Sequence, residues 1–195
     1  MTVTNPAPAR ALALVGMPGS GKSLCAAHLE AQGFFQFRFG GIVVAEVYRR
    51  GWPLTPETER IVREEFRRQD GMAAIAERAL PILRAALEER PNIIMDGLYS
   101  WSEYKLLADT LPGGLIVVAV VAERALRYAR LAARPERPLT AEEARRRDWQ
   151  EIEQLEKGGP IAIADYTLLN NEGPAPLLAS LDEVVKRLGL RPAAE

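Results

Sequence analysis

A chain of 195 residues with 48% apolar and 26% charged side chains has the size and balance of one α/β domain that buries a full core. Its formal net charge of −1 excludes a general attraction to nucleic acid or to an anionic membrane surface. A single cysteine, Cys25, excludes an internal disulfide and a cysteine-built metal cluster, and the expected setting is the cytoplasm.

The opening MTVTNPAPAR has no apolar stretch of signal-peptide length, so residues 1–9 are expected to form a flexible arm. Ala11–Val15 is an apolar run of strand length, rich enough to be buried on both faces. GMPGSGKS follows from Gly16 to Ser23 with the spacing G-x-x-x-x-G-K-S. Then come Leu24 to Ala31, good helix formers with no breaker before Gly33. Strand, glycine loop, helix is the order that aims a helix N-terminus at bound phosphate. In such a loop backbone N–H groups wrap the β-phosphate of a nucleotide, Lys22 reaches the β and γ oxygens, and the Ser23 hydroxyl sits on Mg²⁺. Gly16, Gly19, Ser20, Gly21, Lys22, Ser23 and Leu24 are therefore the expected nucleotide-binding residues, with Lys22 also catalytic. The alternative, a plain glycine turn, accounts for neither the Lys22–Ser23 pair nor the two correct flanks. On the helix, His28 reads as a packing or surface residue with nothing nearby to orient it, and Cys25 as a small core residue.

Phe34–Phe39 is the second strand-like run. Residues 41–90 are helical in character, broken at Gly51-Trp52-Pro53 and at Gly71. An insertion of that size over the carboxyl edge of a sheet suits the holding of a second substrate, because ligands of open α/β sheets bind at that edge. Asn92-Ile93-Ile94-Met95-Asp96-Gly97 is a buried-type strand ending in an acid. Beside a phosphate loop, Asp96 would hold a Mg²⁺ water or take a proton from the attacking group. The bland alternatives are a cap for a helix over Ser100–Asp109, or a turn with Gly97. Leu115–Val121 is the fourth run, and even Leu115–Ala122 is far too short to span a bilayer.

After it, Arg127, Arg130 and Arg134 fall at i, i+3 and i+7 on one helix face with Arg124 beside them, and no acid on that helix after Glu123 neutralises them. A solvated surface helix accounts for Arg124. Arg130 and Arg134, next to the Pro135–Pro138 loop, are expected to be catalytic residues of a phosphate-clamping lid over 134–147, since charge neutralisation dominates phosphoryl transfer. Thr140–Lys157 is charged throughout, with Glu142–Arg146, Glu143–Arg147 and Arg147–Glu151 at i, i+4 spacing, and reads as a solvated helix whose Arg147 can turn inward on closure. Tyr166–Leu169 is the fifth run. Five apolar runs alternating with helices describe a parallel sheet covered on both faces. Trp52 and Trp101 are core residues by default, although either can stack a planar ring.

With these residues placed, the chain resembles the P-loop small-molecule kinases, and more narrowly the archaeal-type dephospho-CoA-kinase-like and adenylate-kinase-like proteins. The likeness runs over most of the chain. It is carried by GMPGSGKS, the helix break at Gly51, Asp96-Gly97, Arg127-x-x-Arg130-Leu131-x-x-Arg134, Arg147-Asp148, and Ala164-Asp165-Tyr166 leading to Asn170-Asn171-Glu172-Gly173. The resemblance implies an α/β, three-layer P-loop NTPase fold of the nucleoside-monophosphate-kinase type. That means one domain over 1–195, with a five-stranded parallel sheet, a helical acceptor cap and an arginine-bearing lid. It implies ATP and Mg²⁺ as cofactors and transfer of the γ-phosphoryl group to a small acceptor, a nucleotide or a dephospho-CoA-like molecule. It also places Asn170 and Asn171 beside the adenine.

One departure stands out. Such proteins usually carry an acid soon after the second strand, in a Met-Gly-Asp type sequence. Here the strand ends Arg38-Phe39-Gly40-Gly41, and Gly41 takes the place of that acceptor-binding or base group. This leaves a second reading, a nucleotide-binding regulatory or partner protein without catalysis. A third, an NTPase acting on nucleic acid, has neither net positive charge nor a basic, aromatic-laced groove behind it.

Overall fold

In the computed structural model, which describes residues 10–193, all five apolar runs are strands. The arm expected over residues 1–9 lies outside the described residues. The strands are β1 (Arg10–Val15), β2 (Phe35–Arg38), β3 (Asn92–Asp96), β4 (Leu115–Val121) and β5 (Tyr166–Leu169). Every ladder is parallel, in the order β2-β3-β1-β4-β5.

Successive side chains of a strand point to opposite faces, so an all-apolar strand must be covered on both. β1 shows the split. Ala11, Ala13 and Val15 join Ile93, Met95, Val117 and Ala119 in one core, while Leu12 and Leu14 join Ile94, Val118 and Val120 in the other. The second core is closed by α1 (Lys22–Ala31) and α9 (Pro174–Leu188), through Cys25, Ala26, Leu29, Leu177 and Leu181. The first is closed by α2 (Gly40–Arg49), α3 (Pro56–Asp70), α4 (Ala74–Glu89) and α5 (Trp101–Thr110). The result is a three-layer α/β fold, and the C-terminal helix α9 is an element beyond those expected. None of the described helices is long and apolar enough to cross a membrane.

Two local differences from expectation have plain causes. β2 stops at Arg38 because Phe39 is already helical (φ −58°, ψ −36°), which draws Gly40 and Gly41 into the first turn of α2. A Cβ at Gly41 would meet nothing within 4 Å, so packing does not require glycine there. Residues 41–90 break where expected, with α3 started afresh by a Thr55–Thr58 capping box and Pro56 in its first turn. The charged helix after α6 (Arg124–Ala132) is shorter than expected: α7 (Ala141–Glu153) ends before Glu156, which sits at φ 54°, and a separate short helix α8 (Gly158–Ala162) follows. That break carries Lys157 into the interior.

Because all five strands run the same way, the loops after β1, β3, β4 and β5 leave from one edge of the sheet. β3 and β4 flank β1 on opposite sides, the crossover at which α/β sheets open a crevice.

Candidate active site

The loop after β1 is shaped by neighbours that tolerate no side chain. Gly19 holds φ +79°, and a Cβ on it would lie 2.7 Å from the Arg127 carbonyl oxygen. Gly21 holds φ +110° as the N-cap of α1, and a Cβ there would drive into the Asn170 amide. Gly21 offers no capping side chain, so the opening N–H groups of α1 are left for a ligand. The nucleotide-binding residues expected from the sequence divide in two. Gly19, Gly21, Lys22, Ser23 and Leu24 line a cleft of about 360 Å³. Gly16 and Ser20 lie buried at the base of the loop, where the Ser20 hydroxyl has no hydrogen-bond partner.

Arg127 leaves the expected arginine stripe. No acid on its own helix neutralises the stripe, but Asp148 of α7 supplies a counter-ion to Arg127. Arg127 Nη1 and Nη2 donate to its two carboxylate oxygens at 3.0 and 2.6 Å, and Nη1 also donates to the Pro18 carbonyl at 3.0 Å. Both side chains are buried. Arg127 thus fastens the phosphate loop to α7. The predicted pairs Glu142–Arg146 and Glu143–Arg147 do not form, and only Arg147–Glu151 does, at 3.1 Å.

Asn170 also braces the loop. Its Nδ2 donates to the Ser20 carbonyl at 2.7 Å, while its own carbonyl accepts from Arg130 Nη2 at 2.8 Å. Its side chain is buried in these contacts, and Asn171 is held by Glu123, whose N–H it accepts at 3.0 Å. His28 has an orienting partner after all: it bonds Asp182 of α9 at 2.8 Å and ties two helices at the surface. Cys25 is an inert core thiol, pushed up to about 12 chiefly by burial. Trp101 is committed to Tyr104, stacked at 5.0 Å, and to Gly159, where a Cβ would lie 2.8 Å from its ring.

Across the cleft from the loop stand Arg130, Arg134, Arg147, Glu151, Lys157 and Tyr99. Arg130 keeps a buried Nη1 with no partner. Glu151 accepts from Arg147 Nε and is ion-paired with the buried Lys157, whose ammonium also sits 4.9 Å from the centre of the Tyr99 ring. Burial pulls Lys157 down from 10.5 to about 8; Glu151 opposes the shift, and the charges of Lys22 and Arg147 add to it. Arg134 is lowered as well, by burial and by Arg147. Five cations therefore crowd one cleft around a single carboxylate, with Lys157 close enough to feel Lys22 and Arg147, and Arg134 close enough to feel Arg147.

Asp96 ends β3 in register with Leu14 of β1, and its carboxylate has no hydrogen-bond or ion-pair partner among the described residues. It lies within electrostatic reach of Cys25 on α1 and of Tyr99 in the cleft. The capping role is filled by others, since Ser100 and Glu103 form the capping box of α5. A free carboxylate and the Ser23 hydroxyl are hard oxygen donors of the kind that suit Mg²⁺, which keeps most of its shell as water and phosphate oxygen. No group of three or more metal-binding side chains occurs among the described residues.

Comparison with known proteins decides the family. A family model described as an AAA domain matches residues 12–162. A UPF0200 protein of Thermococcus kodakarensis is 36% identical over 182 residues, covering 90% of this chain and 98% of its own. The chain is an AAA-domain protein of the UPF0200 family. A second UPF0200 protein, from Thermococcus gammatolerans, is 37% identical over 161 residues, covering 81% and 84% of the two chains. Among solved structures, a gluconokinase from Sinorhizobium meliloti 1021 superposes with a TM-score of 0.55 at 20% identity, over 95% of this chain and 98% of that one. A shikimate kinase from Bacteroides thetaiotaomicron gives 0.55 at 15% identity, over 93% and 99%. The fold is that of the P-loop small-molecule kinases.

Sequence reasoning missed Tyr99, Glu151 and Lys157 as cleft residues. Lys157 reads as the tail of a solvated helix, and only the Gly158-Gly159-Pro160 that follows it hints that the chain turns inward.

Proposed function

We propose that the protein is a Mg²⁺-dependent kinase that transfers the γ-phosphoryl group of ATP to a small-molecule acceptor, a nucleotide or a dephospho-CoA-like molecule. One observation carries this reading: Lys22, Arg130, Arg134, Arg147 and Lys157 converge on an uncapped helix N-terminus. Like charges gathered in one cleft are relieved by an anion, and a triphosphate in transfer carries that charge. The glycine loop would hold the phosphates by its N–H groups, with Lys22 on the β and γ oxygens. Arg130 on α6 and Arg134 on a lid over 134–147 would neutralise charge on the phosphoryl group in flight, and closure of the lid would exclude water that competes with the acceptor. Mg²⁺, held through Ser23 and Asp96, would supply charge neutralisation and fix the phosphate geometry. Asp96 either serves that metal or takes the acceptor's proton. The helices of residues 41–90 would cap the acceptor, and the whole chain would act as one domain.

A second reading has its own observation. Gly41 stands where related kinases carry an acid, and the space around it would admit one. A non-catalytic ATP-binding regulator would need no such group. The two are separated by incubating the protein with γ-labelled ATP and a panel of nucleotides, nucleosides, dephospho-CoA and sugars. Label appearing in an acceptor supports the kinase; ATP binding with no acceptor-stimulated turnover supports the regulator.

A further inference from the structure

The inner face of α7 carries two buried acids, Asp148 and Glu151, and they are engaged differently. Asp148 is taken by Arg127, which anchors the loop and does not line the cleft. Glu151 is the one acid among the described residues that line the cleft, and both of its partners line the cleft with it. Its Oε1 accepts from Arg147 Nε at 3.1 Å, and its Oε2 accepts from the Lys157 ammonium. A carboxylate of the protein's own thus engages two of the five cations that face the phosphate loop.

Lys157 is fixed in that position from behind. Its N–H donates to the Glu151 carbonyl at 3.1 Å. Glu156 before it holds φ 54°, a left-handed turn that side chains rarely adopt. The Glu156 Oε2 accepts the N–H and the hydroxyl of Ser102 at 3.1 and 2.9 Å. Gly159 packs so closely on Trp101 that a Cβ would lie 2.8 Å from its ring, and the Lys157 ammonium lies over the Tyr99 ring. Residues 156–159 are therefore clamped, contact by contact, onto residues 99–102 at the start of α5. The clamp holds a left-handed residue in place and keeps an ammonium in the cleft wall, at 3% side-chain exposure. Among the described residues that ammonium has no hydrogen-bond acceptor other than Glu151.

We infer that Glu151 is a resident competitor for the phosphate site: its carboxylate holds Arg147 and Lys157, and a triphosphate binding in the cleft draws those cations away from it. Carboxylate and phosphate oxygens accept the same donors, and one ammonium cannot serve both in full. Because the backbone of Lys157 is clamped, the Glu151 side chain is the partner that yields. The exchange uses up part of the binding energy, so Glu151 loosens the hold on the nucleotide and recovers its partners as the phosphates leave. Tight ground-state binding does not speed a transfer, and such a competitor favours turnover over retention. The inference rests on the nucleotide-binding half of the kinase reading, not on the transfer step or the acceptor.

The test is calorimetric titration of the full chain with inorganic tripolyphosphate and with ATP plus Mg²⁺. Glu151→Gln keeps the shape and removes the charge, and it should bind both probes at least about tenfold more tightly than wild type, as one charge-assisted contact no longer has to be given up. Glu151→Asp keeps the charge but draws it back by one methylene, and it should gain about threefold or more. An acid acting only by repulsion through space would gain nothing from that change. Thermal unfolding gives a second readout for a variant too unstable to titrate. Without ligand, Glu151→Gln should melt below wild type, because Lys157 loses its counter-charge, and saturating tripolyphosphate should raise its midpoint by more than it raises that of wild type. A purely structural ion pair gives the lower midpoint without the larger rise. Unchanged or weaker binding in both variants overturns the exchange, as does a gain in Glu151→Gln with none in Glu151→Asp. If the gains appear but no acceptor takes label from ATP, the exchange stands and the kinase reading falls. Labelled acceptor with unchanged affinities leaves the kinase reading standing without the exchange, and no binding of either probe by any of the three proteins overturns both.

Discussion

Replacing Arg127 with methionine tests whether this residue braces the fold or serves a lid. The change removes two hydrogen bonds to Asp148 and one to the Pro18 carbonyl, at 2.6 to 3.0 Å. Both ion-pair side chains are nearly inaccessible, at 8% and 9% exposure. Asp148 would then keep only the Tyr128 hydroxyl, at 3.2 Å, as a partner. An ion left buried without its counter-charge typically costs about 3–5 kcal/mol. Removing Asp148 as well, in Arg127→Met/Asp148→Leu, relieves the stranded charge and leaves mainly the unsatisfied Pro18 carbonyl, about 1–3 kcal/mol. The double variant should therefore be more stable than Arg127→Met alone by about 2 kcal/mol or more. Urea unfolding of wild type, both single variants and the double gives the coupling directly, provided the m-values agree. A single variant that costs under about 1 kcal/mol would refute the brace, as would a double variant as unstable as the sum of the singles.

Other expectations follow from the cleft. Asp96→Asn keeps the shape and removes the charge, so kcat should fall at least about a hundredfold with the fold intact; near-normal turnover would leave the unpartnered carboxylate without a role. Arg130→Ala and Arg134→Ala should lower kcat more than they weaken ATP binding by calorimetry, and loss of affinity with normal turnover at saturation would assign them to ground-state binding instead. Lys157 carries a pH dependence. Its native pKa, about 8, lies below the unfolded 10.5, so between those values the unfolded chain binds more protons and stability rises with pH. Measured against Lys157→Met, wild type should therefore gain on the order of 1–3 kcal/mol from pH 8 to 10; a flat difference would mean that the buried ammonium is not desolvated.

The parts of this fold that are local in sequence are the parts legible from it. An apolar run, GMPGSGKS and a helix former stretch lie end to end, and α/β alternation repeats that logic along the chain. Arg130 and Arg134 are visible because they sit four residues apart; the structure keeps Arg130 on α6 and puts Arg134 just past its end, and it brings both into the cleft. Arg127 is misplaced by the same spacing, because its partner Asp148 belongs to another helix, 21 residues on. Asn170 joins Ser20 to Arg130 across 150 and 40 residues, a bridge that no periodicity announces.

The central claim is that the loop holds a nucleotide whose γ-phosphoryl group leaves for an acceptor. The most direct measurement follows transfer of labelled phosphate from γ-labelled ATP, with Mg²⁺, to the best acceptor of the panel, by wild type and by Lys22→Ala side by side. Acceptor-dependent transfer by wild type, abolished in a Lys22→Ala variant with unchanged circular dichroism, is the predicted result. Equal transfer by the two proteins, or ATP binding by wild type with no label reaching any acceptor, would contradict it.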